Sequence, residues 1–372
     1  MQNKNLVGVQ ALRGLAALLV VMFHSVIALQ DYGWSVGRLA SLGPFGQVGV
    51  DIFFVISGFV MMLATFNKPP TWSTTRAFLK ARIARIVPLY WGLTAIMAAT
   101  LLLAPSVFNK QHITPMRTVT SFLFLPYTEP GVAHTFPLVY VGWTLSYELY
   151  FYAVFSLLLL LPRRLLMSGV VVAFGGIVAI SLLDPHAFWL RFLTDRILIE
   201  FVFGCAIAWA YVRRARLSQV SAILLIVGGT TLCLATVSTG ITLSQRWFWW
   251  GVPVSLLVAG IVFIESGRGS LRMGILPAIG NSSYSLYLSH TFTLPVLIRV
   301  IVKLDPSHAI PALPACAILV TGSALVGHAI YLCAERPIDR WVKRVRRRPG
   351  DPQALTPPGA KSYAASPKSA SQ

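Results

Sequence analysis

The sequence predicts an all-α, polytopic transmembrane bundle of about ten spans with both termini in the cytoplasm. Three observations carry that prediction. Charged residues make up only 12% of the 372, against 56% hydrophobic, and mean hydropathy is +0.70; a soluble chain carries about 25% charged residues. Apolar stretches of the ~20 residues needed to cross a ~30 Å hydrocarbon core recur along the chain. Lysines and arginines are distributed unevenly between alternate connecting segments, the asymmetry that sets membrane orientation.

Spans are expected near residues 9–29, 46–66, 86–104, 141–161, 168–183, 197–212, 219–238, 247–265, 275–298 and 311–334. The fifth and sixth are short enough to be tilted or partly re-entrant. The first lacks a basic leader and a small-residue cleavage site, and a second span follows at once, so it is expected to be a retained helix. With the N-terminus inside, the inner segments hold Lys4, the basic residues of 67–85, Arg163, Arg164, Arg213, Arg214, Arg216, Arg268, Arg272 and the basic run after residue 335. The outer segments hold fewer.

One membrane domain is expected over 1–340, followed at 341–372 by a basic juxtamembrane segment and a disordered Pro/Ala/Ser-rich tail. That tail is too short for an appended soluble catalytic domain, so any chemistry is expected inside the bundle. The net charge of +19 and the run WVKRVRRR at 341–348 would suit nucleic acid in isolation. Directly after an apolar span, such a run contacts anionic lipid and fixes topology. Membrane lipids, and no nucleic acid, are therefore expected as partners. Cys205, Cys233, Cys316 and Cys333 show no paired spacing and read as small buried hydrophobes, with no metal site. No internal repeat supports an inverted-repeat transporter.

Ionisable side chains are costly inside a bilayer and mark function. Arg13 and His24 lie in QALRGLAALLVVMFHS. Eleven residues turn a helix through about 1,100°, so both project from one face, about 16 Å apart along the axis. Arg13 falls near the cytoplasmic surface, where snorkelling is the plain alternative, and His24 in the outer half. Asp51 opens the second span at a similar depth, either as a site acid or as a helix-start acid facing the interface. Glu148, in VGWTLSYELYFY, is too deep to snorkel and needs an imidazole or guanidinium partner. His290 ends SYSLYLSH, with Tyr287 one turn before it; both are secondary candidates, since tyrosines at helical spacing are commonly packing residues. Glu200 reads as a solvated helix-end acid. His112, His134, His186 and His308 carry no signal.

In the loop 67–90, Arg82 and Arg85 stand one turn apart and can grip the same ligand, with Arg76 and Lys80 nearby. Guanidinium groups bind phosphates bidentately, which suits a phosphorylated donor. Plain positive-inside topology explains the same arginines. A His24–Glu148 pair would have one ring nitrogen oriented by the carboxylate and the other free as a base, or His24 could take an acyl group covalently. No GxSxG, HExxH or Gly-rich phosphate loop is present. The residues alone define a membrane protein with a buried His/Glu site and a basic donor cleft.

Taken in order, ALRGLAALLVVMFH, GVDIFFVISGF, the RIAR element at Arg82 and Arg85, WTLSYE, SYSLYLSH and ERP at Glu335–Pro337 resemble the acyltransferase-3 family of integral membrane acyltransferases. The likeness extends over roughly residues 6–340, and it is strongest to members that acetylate bacterial exopolysaccharide or lipopolysaccharide. The resemblance implies acyl-CoA as cytoplasmic donor, with acetyl before succinyl, no permanently bound cofactor, and a glycan or lipid-linked sugar acceptor at the bacterial inner membrane. It implies that His24 is the essential histidine and Arg13 its partner, that Arg82 and Arg85 bind donor, and that Glu148 is the fourth-span acid. Some relatives carry a fused esterase-like domain; here the bundle is expected to complete transfer, together with any polysaccharide synthesis or export proteins. Two competing readings remain. One is a glycan transporter without covalent chemistry, and the other a structural partner of a synthesis complex.

Overall fold

The computed structural model describes residues 6–104, 112–129, 136–237, 245–268 and 271–346. His134 and the expected tail beyond 346 lie outside these residues. The described chain is built from helices: α1 (Val7–Asp31), α2 (Leu39–Phe45), α3 (Val48–Thr65), α4 (Trp72–Leu103), α5 (Pro115–Phe122), α6 (Trp143–Leu158), α7 (Arg163–Ala179) and α8 (Phe188–Leu193). They are followed by α9 (Leu198–Val212), α10 (Gln219–Ala235), α11 (Val252–Arg268), α12 (Leu276–Asn281), α13 (Ser283–Leu304), α14 (Ala312–Ile330) and α15 (Arg336–Arg346).

Seven stretches among the described residues are long and apolar enough to cross a membrane: Val7–Asp31, Leu39–Thr65, Trp72–Leu103, Arg163–Leu183, Trp247–Gly267, Ser283–Leu304 and Ala312–Val342. The other three expected spans are present as α6, α9 and α10, apolar helices of 16, 15 and 17 residues. These fall short of the ~20 residues of a perpendicular crossing, so by length and composition seven of the ten expected spans qualify.

Two expected elements need correction. The loop read at 67–90 is mostly helix: Thr71 caps α4 by accepting from the Thr74 amide at 3.3 Å, so Arg82 and Arg85 stand on the third span's own helix. The ninth span is broken at Ser282 into α12 and α13. A break in the helix leaves backbone groups that must find partners inside the protein, and the break is used by the site described below. The cysteines also divide. Cys205, Cys233 and Cys316 are buried as expected, but Cys333 is exposed. It sits on the five-residue π-helix Tyr331–Glu335, whose wider turn sends Glu335 inward.

Small residues let the helices approach closely, as expected where lipid supplies no hydrophobic drive between them. A Cβ on Gly204 of α9 would lie 1.9 Å from the Val55 carbonyl of α3, and one on Gly280 of α12 would lie 1.9 Å from the Gln10 carbonyl of α1. α1 is wrapped by α3, α11, α12, α13 and α14, so both ends of its polar face look into the protein. Its first turn is held from α11: the Glu265 carboxylate accepts from the Val7 amide at 2.7 Å and the Gly8 amide at 2.8 Å. These are two of the donors that a helix start leaves without partners. Glu265→Ala is expected to lower stability by about 2 kcal/mol, the scale for hydrogen bonds to a charged group. A thermal melt in detergent that is unshifted relative to wild type would contradict this.

Candidate active site

Two cavities meet inside the bundle. The first, of about 110 Å³, is lined by Arg13 of α1, Arg82 and Arg85 of α4, Glu148 of α6, and Ser283, Tyr284 and Tyr287 of α13. Three guanidinium groups against one carboxylate leave this cavity cationic. Arg13 Nη2 donates to Ser283 Oγ at 3.1 Å, and the Tyr284 hydroxyl donates to the Ile86 carbonyl at 2.7 Å, which ties α13 to α1 and α4. Ser283 and Tyr284 reach the cavity because α13 restarts at the break. Glu335 secures that restart by accepting from the Ser285 amide at 3.1 Å and from its hydroxyl. Arg76 and Lys80, expected to add charge, are exposed on the outer face of α4.

Glu148 accepts hydrogen bonds from Ser57 Oγ at 2.9 Å and from the Tyr152 hydroxyl. This corrects the expected His24–Glu148 pair. Glu148 shares a cavity with the arginines, whereas His24 lines the other one. α6 packs its acid towards α3 and α4, out of reach of the far half of α1.

The second cavity, about 900 Å³, is lined by His24 and by Tyr127, Tyr140, Trp143, Phe188 and Phe192 among other aromatic groups. Here the histidine partner is His290: its Nε2 lies 3.2 Å from His24 Nδ1, with ring centroids 5.0 Å apart. The backbone fixes which nitrogen carries each proton in the neutral pair. The Leu286 carbonyl, 3.2 Å from His290 Nδ1, can only accept, so that nitrogen donates and His290 Nε2 is left as an acceptor. His24 Nδ1 faces the Val20 carbonyl at 2.9 Å and His290 Nε2, both acceptors, so it carries the proton. The basic nitrogen of His24 is therefore Nε2. His290 is fully buried behind it, and Tyr140 packs on its other side with centroids 4.9 Å apart.

Asp195 and Arg117 add polarity to this cavity wall. Burial pushes the Asp195 carboxyl above its usual range, opposed by its bonds from the Ile197 amide and the Tyr147 hydroxyl. Burial also lowers the Arg117 guanidinium, opposed by Glu129; its Nε and Nη1 donate to the carbonyls of Phe136 and His112 at 2.8 and 2.6 Å. Elsewhere, His112 meets Glu129 at 2.7 Å, His308 packs at a tilt against Trp34, and His186 is exposed.

Asp51 lines neither cavity. The interface-facing reading is corrected too: Asp51 is fully buried and paired bidentately with Arg246, Nε to Oδ1 at 2.8 Å and Nη2 to Oδ2 at 2.7 Å. Arg246 Nη2 also donates to the Gln47 carbonyl at 2.6 Å. Glu200, expected to be solvated, is fully buried against Gly251 and within electrostatic reach of the same pair. Arg246 falls between the expected spans 219–238 and 247–265, where no sequence pattern marks it. The available signal was Asp51 itself, because a buried carboxylate demands a cation.

The apolar helices and the polar cavities between them describe a multi-pass membrane protein. The acyltransferase-domain family matches residues 6–330, and the chain belongs to that family of acyltransferases, as the motif resemblance implied. The exopolysaccharide production protein ExoZ of Rhizobium meliloti is 31% identical over 318 residues, 79% of this chain and 90% of ExoZ. The putative membrane-bound transacylase BcsY of Komagataeibacter xylinus is 31% identical over 175 residues, 44% of this chain and 40% of that protein. The peptidoglycan O-acetyltransferase OatA of Listeria monocytogenes is 24% identical over 338 residues, 79% of this chain and 51% of OatA. No solved structure gives a significant match.

Proposed function

We propose that the enzyme moves an acyl group, acetyl in the simplest case, from acyl-CoA held in the arginine cavity to a hydroxyl of a polysaccharide or lipid-linked sugar in the histidine cavity. The observation that carries this reading is the placement of the two cavities. A cationic chamber suited to phosphates abuts an aromatic chamber containing an oriented histidine. The names of ExoZ and OatA support a bacterial exopolysaccharide or cell-wall glycan as acceptor. The lysine and arginine asymmetry supports a cytoplasmic donor side in the inner membrane, with both termini facing it.

In this reading Arg13, Arg82 and Arg85 hold the donor's phosphates, and Glu148 limits and orients their charge. The thioester end reaches past Tyr287 towards His24. His24 Nε2 takes the hydroxyl proton as the acceptor oxygen attacks the thioester carbonyl carbon. The C–O bond forms, the C–S bond breaks with its electron pair on sulfur, and the proton passes from the imidazolium to the thiolate. His290 positions the base. The broad aromatic walls suit the flat faces of sugar rings, and the polar and charged groups in the same lining, such as Gln47, Ser146 and Arg191, can fix their orientation.

Calorimetric titration with acetyl-CoA in nanodiscs tests the donor assignment. Arg82→Ala/Arg85→Ala is expected to weaken binding about a hundredfold or more, because each lost charged hydrogen bond is worth about 1.5–3 kcal/mol. Unchanged affinity in the double variant would remove the donor from that cavity. No binding of acetyl-CoA or succinyl-CoA by folded wild type would favour a transporter.

A further inference from the structure

We propose that Val50 and Tyr287 form a neck that sets the size of the acyl group the enzyme accepts, an inference that rests on the donor and acceptor chambers assigned above. These two side chains line both cavities, so they form the partition through which the acyl group reaches His24. Arg13 and His24 stand about 16 Å apart along α1, and a thioester anchored by its phosphates at the arginines must present its acyl end through this partition first.

The neck is held in place from several sides. The Tyr287 hydroxyl lies 2.9 Å from Thr144 Oγ1 and donates to the Val141 carbonyl at 3.3 Å. Thr144 lines the arginine cavity and Val141 the histidine cavity, so the phenol bridges the two. Phe53 meets the Tyr287 ring edge-on, with centroids 5.6 Å apart, and the His290 ring lies 6.0 Å away on the other side. Moving the ring aside breaks hydrogen bonds and disturbs the histidine pair. Val50 precedes Asp51, whose buried ion pair with Arg246 fixes the register of α3. Both residues are almost fully buried, at 6% exposed each.

The bonds made and broken are the same for every acyl chain: C–O forms, C–S breaks, and the hydroxyl proton ends on sulfur. Discrimination between acyl lengths therefore falls on the passage. An acetyl group presents one methyl to the Val50 side chain and the Tyr287 ring. A butyryl group must thread two further methylenes between them.

The test uses inverted membrane vesicles of the native host, which carry the full-length protein and the host's own glycans, supplied with radiolabelled acetyl-CoA or butyryl-CoA. Label is read in precipitable glycan. Val50→Ala is expected to raise the butyryl-to-acetyl ratio about tenfold, the low end of what a methylene is worth in a close-fitting apolar pocket. Val50→Leu is expected to lower it by a similar factor, and it keeps the test informative should Val50→Ala fold poorly. Wild-type transfer with the same ratio in the variants would overturn the neck while leaving acyl transfer standing. No label from either donor in wild-type vesicles would overturn acyl transfer, and the neck with it.

Discussion

His24→Ala is expected to lower acyl transfer by about 10²- to 10⁴-fold, the range contributed by a positioned general acid–base group, while acetyl-CoA affinity stays at its wild-type value. The two readouts separate because His24 and the arginines line different cavities. His290→Ala removes one of the two acceptors of the His24 Nδ1 proton, leaving the Val20 carbonyl, and keeps the base in the cavity. Its activity is expected to fall between wild type and His24→Ala. The measurement is label transfer at saturating donor, with calorimetry on the same preparations. Full activity in folded His24→Ala would exclude this imidazole as base or acyl carrier. A joint loss of activity and donor binding would show that the two chambers are not functionally separate.

What the sequence could reveal about this site followed from regularities within single helices. Arg13 and His24 are eleven residues apart, so their shared face depends on helical pitch alone, and the structure places one at each cavity. Arg82 and Arg85 were legible for the same reason, although the helix beneath them begins earlier than apolar content indicates, because its first turns are charged. Partnership between helices was not legible. Glu148 and His24 each needed a partner, and pairing them satisfied both on paper. Packing of α13 against α1 gave His24 an imidazole, and packing of α6 against α3 gave Glu148 the Ser57 hydroxyl, while its second hydroxyl comes from Tyr152, one turn along α6 itself.

The π-helices escaped the sequence for a different reason. A period of 3.6 does not register a widened turn, yet Arg246 immediately precedes one such segment, Trp247–Gly251, and Glu335 ends the other. Both side chains thereby turn inward, one to the Asp51 carboxylate and the other to the start of α13. The ERP motif identified the neighbourhood of Glu335 without showing what the carboxylate holds.

Arg246→Gln is expected to destabilise the protein by about 3–5 kcal/mol, the cost of leaving a buried partner's charge uncompensated, and to cost more than Asp51→Asn. The ordering follows from the third member of the cluster. When Asp51 is neutralised, the Glu200 carboxylate is still within reach to balance Arg246. When Arg246 is lost, two fully buried acids face each other with no cation between them. Asp51→Asn/Arg246→Gln should recover part of the loss, since removing both charges of a buried pair is far milder than removing one. Thermal unfolding in detergent of the two single variants and the double variant measures the ordering, and a larger loss in Asp51→Asn would assign Glu200 no part in the balance. The same cluster bears on chemistry. Arg246 ties the segment before α11 to Gln47 and Asp51 at the start of α3, and Val50 lies between those two residues at the wall shared by both cavities. Loosening the pair therefore loosens the partition, and any Arg246→Gln protein that survives should show a higher butyryl-to-acetyl ratio than wild type.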